Sequence, residues 1–138
     1  MKLVNGMLVS ETQADLDQAV ADAVPSIEAL HTYAAQKRYE IEVGGIVVNG
    51  LQVPTDDRAK TLIEGGASTL SDTDEIDFFA PDIGWTKLTG VQIRGMQASI
   101  AAHVQACFSK SKEISDKIDN GTIIKTAQID AEDWPPNS

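Results

Sequence analysis

His103 and Cys107 stand four residues apart. On a helix that spacing puts two side chains on one face, close enough to share a metal ion or to let an imidazole draw the proton from a thiol. A metal centre needs three or four ligands, and the chain has one cysteine and two histidines. The other histidine, His31, falls on a different predicted helix. Cys107 therefore reads as a small apolar residue in a helical seam, and no metal site is expected. Acidic residues offer two further candidates: Asp72, Asp74, Glu75 and Asp77 as calcium ligands, and Asp56 with Asp57 as a carboxylate pair. The first set lacks the glycine and closing bidentate glutamate of a calcium loop, and the second sits where a helix N-terminus attracts acids in any case. Both read as solvated groups.

The glycine pairs Gly44-Gly45 and Gly65-Gly66 do not make a phosphate cradle, because no Lys-Ser or Lys-Thr follows and no strand leads into a G-x-G-x-x-G turn. They read as helix stops. Trp85, Phe78 and Phe79 could stack on bases, but they lack a basic surround and read instead as hairpin side chains packed on the longest helix. No convergent acid pair and no nucleophile with its base stands out, so neither catalytic residues nor a cofactor are expected, and the protein reads as a non-enzyme.

These groups must be held by elements with clear local signals. Leu3-Val4-Asn5-Gly6-Met7-Leu8-Val9 places Asn-Gly between apolar runs, which predicts a hairpin over residues 2–9. Ser10 and Gln13 have capping-box spacing, predicting a short helix to about Asp22. Pro25 in a first turn opens a second helix, with Ile27, Leu30, Ala34 and Ile41 on one stripe and Gly44-Gly45 as its stop. The run Ile46 to Val53 repeats the hairpin signal at Asn49-Gly50. It sets Val48 opposite Leu51 and Ile46 opposite Val53, four apolar side chains on one face. Thr55 as N-cap, with Asp56 and Asp57 behind it, predicts a third helix containing Ala59, Leu62 and Ile63 that weakens or ends at Gly65-Gly66. Strands Glu75 to Ala80 and Trp85 to Leu88 flank a four-residue loop, Pro81 to Gly84.

Thr89 and Gln92 form another capping box, opening a long helix that runs to Asn120-Gly121. Its seam is Ile93, Ile100, Cys107 and Ile114, seven apart, with Gln97, Val104, Ser111 and Ile118 alongside. Lys110, Lys112 and Lys117 lie late on it, where they complement the helix dipole. A short strand within residues 122–129 and an acidic, poorly ordered tail complete the expectation. The fold class is a small α+β domain of helix, hairpin, helix, hairpin and long helix. It divides into an N-terminal hairpin and helix (1–24), the compact domain (25–129) and the tail (130–138).

With 138 residues the chain can bury one modest core. A formal net charge of -10 opposes binding to a polyanion, so nucleic acid is not an expected partner. No window is apolar enough to span a bilayer or to serve as a signal peptide, so no membrane partner is expected and synthesis in a cytoplasm is. The single cysteine cannot close an internal disulfide.

The ordered set Lys37-Arg38-Tyr39-Glu40-Ile41-Glu42-Val43-Gly44-Gly45 before an Asn-Gly hairpin, Thr55-Asp56-Asp57-Arg58, and Ala102-His103-Val104-Gln105-Ala106-Cys107-Phe108 on the long helix resembles the phage tail domain catalogued as domain of unknown function 4376. The likeness covers roughly residues 33–121 and carries no catalytic residue with it. It implies a virion structural protein of a bacteriophage tail, attached to a tail fibre or baseplate protein; the N-terminal hairpin adds a homo-oligomer as a further expected partner. The alternative is a cytoplasmic chaperone for tail fibre assembly. A lone two-stranded hairpin is marginal in water, so Leu3, Val4, Met7, Leu8 and Val9, apolar on both faces, are the expected partner interface.

Overall fold

The computed structural model describes residues 24–137, together with the backbone of two short strands nearer the N-terminus. Those strands, β1 (Lys2–Val4) and β2 (Met7–Val9), pair antiparallel with Leu3 opposite Leu8 and Val4 opposite Met7. The Asn5-Gly6 turn and the helix expected from Ser10 to Asp22 lie outside the described residues. The architecture that follows is α+β: α1 (Ile27–Glu42), β3 (Ile46–Val48), β4 (Leu51–Val53), α2 (Asp57–Thr69), β5 (Glu75–Ala80), β6 (Gly84–Thr89), α3 (Gly90–Asp119) and α4 (Thr126–Asp130).

Helix α1 starts where the Ser26 side chain accepts a hydrogen bond from Ala29 N–H at 3.0 Å, so Pro25 stands ahead of the cap and outside the first turn. Leu30 and Ala34 are buried, as the apolar stripe requires, but Ile27 is exposed. The cause is length. His31 already bonds Asp119, the last residue of α3, so Ile27, one turn earlier, overhangs the end of its partner helix.

The β3–β4 hairpin turns through Asn49 (φ 51°) and Gly50 (φ 81°), the left-handed pair of a type I′ turn. Its register puts Val48 opposite Leu51 and Ile46 opposite Val53, and this face packs on α3. Asp56, not Thr55, caps α2: its carboxylate accepts from Ala59 N–H at 2.8 Å. Gly65 and Gly66 do not stop α2, which continues to Thr69. A Cβ at Gly66 would stand 3.3 Å from Ile93 Cγ2, so this glycine lets α2 approach α3 closely. Packing of Ile63 and Ala67 on that side outweighs a propensity cost of about 1 kcal/mol per glycine.

Strands β5 and β6 pair from Glu75↔Thr89 to Ala80↔Gly84, so the connection is three residues, 81–83, and Gly84 (φ 84°) belongs to the strand. Helix α3 opens at the expected Thr89–Gln92 capping box and closes before Gly121 (φ 82°). Ile93, Ile100, Cys107 and Ile114 are all buried along it, and Ile118 joins them from the flanking row. Met96 and His103 are buried on the other flank, while Gln97, Val104 and Ser111 are half-buried. The buried stripe is wider than a coiled-coil seam because both α1 and α2 pack against α3.

Two apolar cores share this helix. The first joins Ile93, Met96 and Ile100 to Ile63 and Ala67 of α2, Ile46 and Val53 of the first hairpin, and Leu88 of the second. The other joins Ile114 and Ile118 to Leu30, Ala34, Ile123 and Ile129. Residues 122–129 form no strand. Ile123 is buried, and Gln128 accepts from Ile124 and Lys125 N–H at 2.7 and 3.0 Å, winding the chain into α4. The C-terminal residues pack as well. Trp134 seals the second core and donates from Nε1 to the Ile129 carbonyl at 2.8 Å, and Asn137 reaches back to the end of α1. An apolar indole and a backbone-seeking amide anchor a segment whose acidity alone suggested disorder.

Candidate functional site

Between the two cores lies a polar layer that contains the most reactive side chains. Its centre is the C-terminal end of α1, where a helix leaves carbonyls without intrahelical partners. The Ile41 carbonyl accepts from Gly44 N–H at 3.2 Å, from His103 Nε2 at 3.0 Å and from Asn137 Nδ2 at 2.8 Å. The Glu42 carbonyl accepts from the Thr55 hydroxyl at 2.7 Å, and the same hydroxyl accepts from Gly45 N–H at 2.8 Å. Thr55 is fully buried. These two bonds draw it inward, which is why the cap falls to Asp56. The Glu42 carboxylate meets Lys60 of α2 at 3.1 Å. Burial pulls the Lys60 ammonium down, but the hydrogen bond and charge of Glu42 carry it above its ordinary value.

His103 and Cys107 do come together, with Sγ 3.8 Å from Nε2. A carbonyl can only accept, so the contact with Ile41 places the proton on Nε2, and that nitrogen is a donor rather than a base toward the sulfur. Burial raises the Cys107 thiol above its usual pKa, and the charge of Glu42 adds to the rise against Arg38 and Lys60. The arrangement stabilises a neutral thiol and joins α1 to α3; it does not make a thiolate nucleophile. Among the described residues, no group of three or more His, Cys, Asp or Glu side chains is placed to hold a metal ion. Arg38, on α1 beside this layer, sets its guanidinium 4.5 Å from the centre of the Phe108 ring.

The acidic candidates disperse. Asp56 caps α2, Asp57 approaches Lys60 at 3.6 Å, Asp72 pairs with Arg94, and Asp77 pairs with Lys87 at 2.9 Å. Glu75 lies exposed at the start of β5, opposite Thr89. Asp74 accepts from Ser71 N–H at 2.9 Å, and that backbone bond holds its carboxyl below the usual range. All but Glu75 have a local structural task.

A different surface stands out. Side chains alternate along β5 and β6, so Ile76, Phe78 and Leu88 face the first core while Phe79 and Trp85 face away from it. The expectation that Phe79 and Trp85 pack on the long helix is therefore wrong: neighbours in a strand cannot both point inward. Phe79 and Trp85 meet across the hairpin edge to face, with ring centres 5.4 Å apart. They remain 53% and 75% exposed. Leu62 on the outer side of α2 is 64% exposed, and Ile83 at the hairpin tip is 59% exposed. Between α2 and the hairpin runs a trough of about 470 Å³, floored by Ile63, Ile76, Phe78 and Ile93 and walled by Leu62, Phe79 and Trp85, with Arg58 and Pro54 at its rim. A bond from Gln52 N–H to Asp82 at 3.4 Å links β4 to the hairpin turn. Large apolar side chains gathered on one face mark a binding surface more than scattered ones do. For Leu3, Val4, Met7, Leu8 and Val9 the described backbone gives the pairing alone, and their side chains lie outside the described residues.

The family model described as Domain of unknown function (DUF4376) matches residues 25–133. The chain belongs to this family. The match takes in the trough, α4, and both cores and the polar layer apart from Trp134 and Asn137, and ends at Asp133. Comparison with curated proteins and with solved structures gives no significant match.

Proposed function

We propose that the chain is a non-enzymatic structural protein of a bacteriophage tail, made in the host cytoplasm and carried in the virion attached to a fibre or baseplate protein. The tail assignment is supported by the resemblance of the segments Lys37 to Gly45, Thr55 to Arg58 and Ala102 to Phe108. The binding role rests on one observation: Leu62, Phe79 and Trp85 stand more than half exposed around a single apolar trough. Groups with catalytic potential are spent on structure, His103 on the end of α1 and the acids on caps and ion pairs. No helix of the described residues is long and apolar enough to cross a membrane.

Mass spectrometry of purified virions from a phage encoding this chain tests the proposal, and the chain is expected in the particles alongside fibre or baseplate proteins. Absence from particles whose assembly nonetheless requires it would replace the structural role by that of an assembly chaperone. Depolymerase or peptidase activity in the purified chain would overturn the non-enzymatic reading.

A further inference from the structure

The trough between α2 and the β5–β6 hairpin is apolar along its floor and walls, and its lining carries one acid and one base. Asp77 is paired with Lys87 at 2.9 Å, whereas Arg58 is exposed and forms no ion pair among the described residues. The free charge at the trough is therefore positive, and the occupant that fits it brings apolar side chains together with a carboxylate. Residues 10–23 of this chain have that composition. They hold Glu11, Asp15, Asp17 and Asp22 with no lysine or arginine, and Leu16, Val20 and Ala23 stand at the intervals that line one face of a helix.

The place where this segment joins the domain decides which copy it can serve. Helix α1 runs antiparallel to α3: His31, near its start, bonds Asp119 at the end of α3, while Ile41, near its end, accepts from His103. From Ile93 on the trough floor to Asp119, α3 rises about 39 Å, and Ile27 lies a turn of α1 farther still. With residues 10–22 helical, as their sequence predicts, and 23–26 fully extended, Leu16 stands at most about 27 Å from Ile27. Such a segment cannot lay Leu16 on Ile93 of its own chain.

We propose that the trough binds residues 10–23 of a second copy, with Leu16 and Val20 in the channel and an acid of the same segment on Arg58. Two copies that each give a segment and receive one close as a dimer. This rests on the reading of the trough as a binding surface and names its occupant, and it does not depend on residence in a tail. A net charge of -10 on each copy opposes their approach, but charges more than about 8 Å apart are largely screened at physiological ionic strength. At the contact itself the unpaired charge is a cation meeting an acidic segment, and apolar burial supplies the affinity.

Sedimentation velocity of the full chain at physiological ionic strength tests this. The wild-type chain should form a dimer. The trough variant F79A/W85A and the segment variant L16E/V20E should each weaken self-association roughly tenfold or more. Phe79 and Trp85 are largely exposed, so F79A/W85A should keep the thermal transition of the parent, which circular dichroism checks on the same samples. An equimolar mixture of the two variants should recover a dimer, because one intact segment then meets one intact trough. R58E should weaken the dimer, and adding D15K/D17K to it should restore association. A wild-type chain that stays monomeric would overturn the proposal and leave the trough open to a partner of another sequence. A dimer untouched by F79A/W85A, or a mixture that stays monomeric, would overturn it by placing the contact elsewhere. None of these results depends on virion composition, so the dimer can fail while the tail assignment stands, and the reverse.

Discussion

Thr55 offers the sharpest test of the packing, because its two plausible roles predict opposite responses to the same substitutions. As a helix cap it would be exposed, replaceable by aspartate, and worth about 1 kcal/mol on removal. In the structure it is fully buried and its hydroxyl serves two backbone groups, the Glu42 carbonyl at 2.7 Å and Gly45 N–H at 2.8 Å. Thr55→Val keeps the shape and removes the hydroxyl, leaving a donor and an acceptor to find new partners. At about 1–3 kcal/mol for each unsatisfied buried group, the sum is roughly 2–6 kcal/mol. Thr55→Ser keeps both bonds and loses one methyl, about 1 kcal/mol. Thr55→Asp buries a carboxylate with one N–H to face it, and an uncompensated buried charge costs about 3–5 kcal/mol.

The order of stability should therefore be wild type, Ser, Val, with Asp at or below Val. Urea unfolding followed by circular dichroism reads it as a falling midpoint with an unchanged slope. For a chain of this size each kilocalorie moves the thermal midpoint by roughly 3–5 °C. An aspartate variant as stable as wild type, or a valine variant within about half a kilocalorie of it, would refute the buried pin and restore Thr55 to the cap.

Ile114→Ala, at a fully buried site in the second core, should cost about 2–5 kcal/mol in the same urea assay, matching Ile100→Ala in the first. Gly65→Ala meets nothing within 4 Å on the solvent side of α2 and should stabilise by about 0.5–1 kcal/mol; Gly66→Ala, facing Ile93 at 3.3 Å, should gain less or lose, and the difference between the two thermal midpoints reads the helix contact. The thiol of Cys107, raised by burial, should react with a thiol reagent at the rate of global opening, so labelling should accelerate in step with destabilising variants such as Thr55→Val. Glu132 is held below the usual carboxylate value of 4.5 by its hydrogen bond from Lys117, with Lys110 adding to the effect. A depressed folded-state pKa contributes stability that is present above the unfolded value and is lost as pH falls through the folded one. Glu132→Gln should therefore flatten the loss of stability below about pH 4.5 in acid titrations of the urea midpoint.

The parts legible in the sequence are those whose causes lie within a few residues. The Asn49-Gly50 turn, the Thr89–Gln92 capping box and the Gly121 stop each depend on local backbone geometry, and each is found where expected. What escaped is set at a distance. Thr55 answers to Glu42 and Gly45, more than nine residues away along the chain, and α2 passes through Gly65 and Gly66 because Ile93 packs against the second of them. The C-terminal segment is ordered by partners as remote as Ile41, bonded to Asn137 across 96 positions. The trough was half legible: strand alternation already forbids Phe78 and Phe79 from facing the same way. Which of them the core takes depends on the register with α3, and that follows only from Ile76 and Leu88 sharing the face of Phe78.

The exposed apolar surface of this fold follows from the division of α3. Its 30 residues make a rod about 45 Å long, more than one small core can cover. The N-terminal half is covered by α2 and the two hairpins, the C-terminal half by α1, α4 and Trp134, and the junction is polar. Every wall of the trough belongs to the first half. An exposed indole costs little in folding when its own strand is held by the opposite face, as Trp85 is held by Leu88 and Phe78 packed on the first core. The second core and the Ile41 hub lie outside the trough and contribute stability rather than trough lining. On the proposed binding role, the stability placed in the distant half of the rod favours affinity at the trough, because a preformed channel loses less entropy on binding than a surface that must order itself.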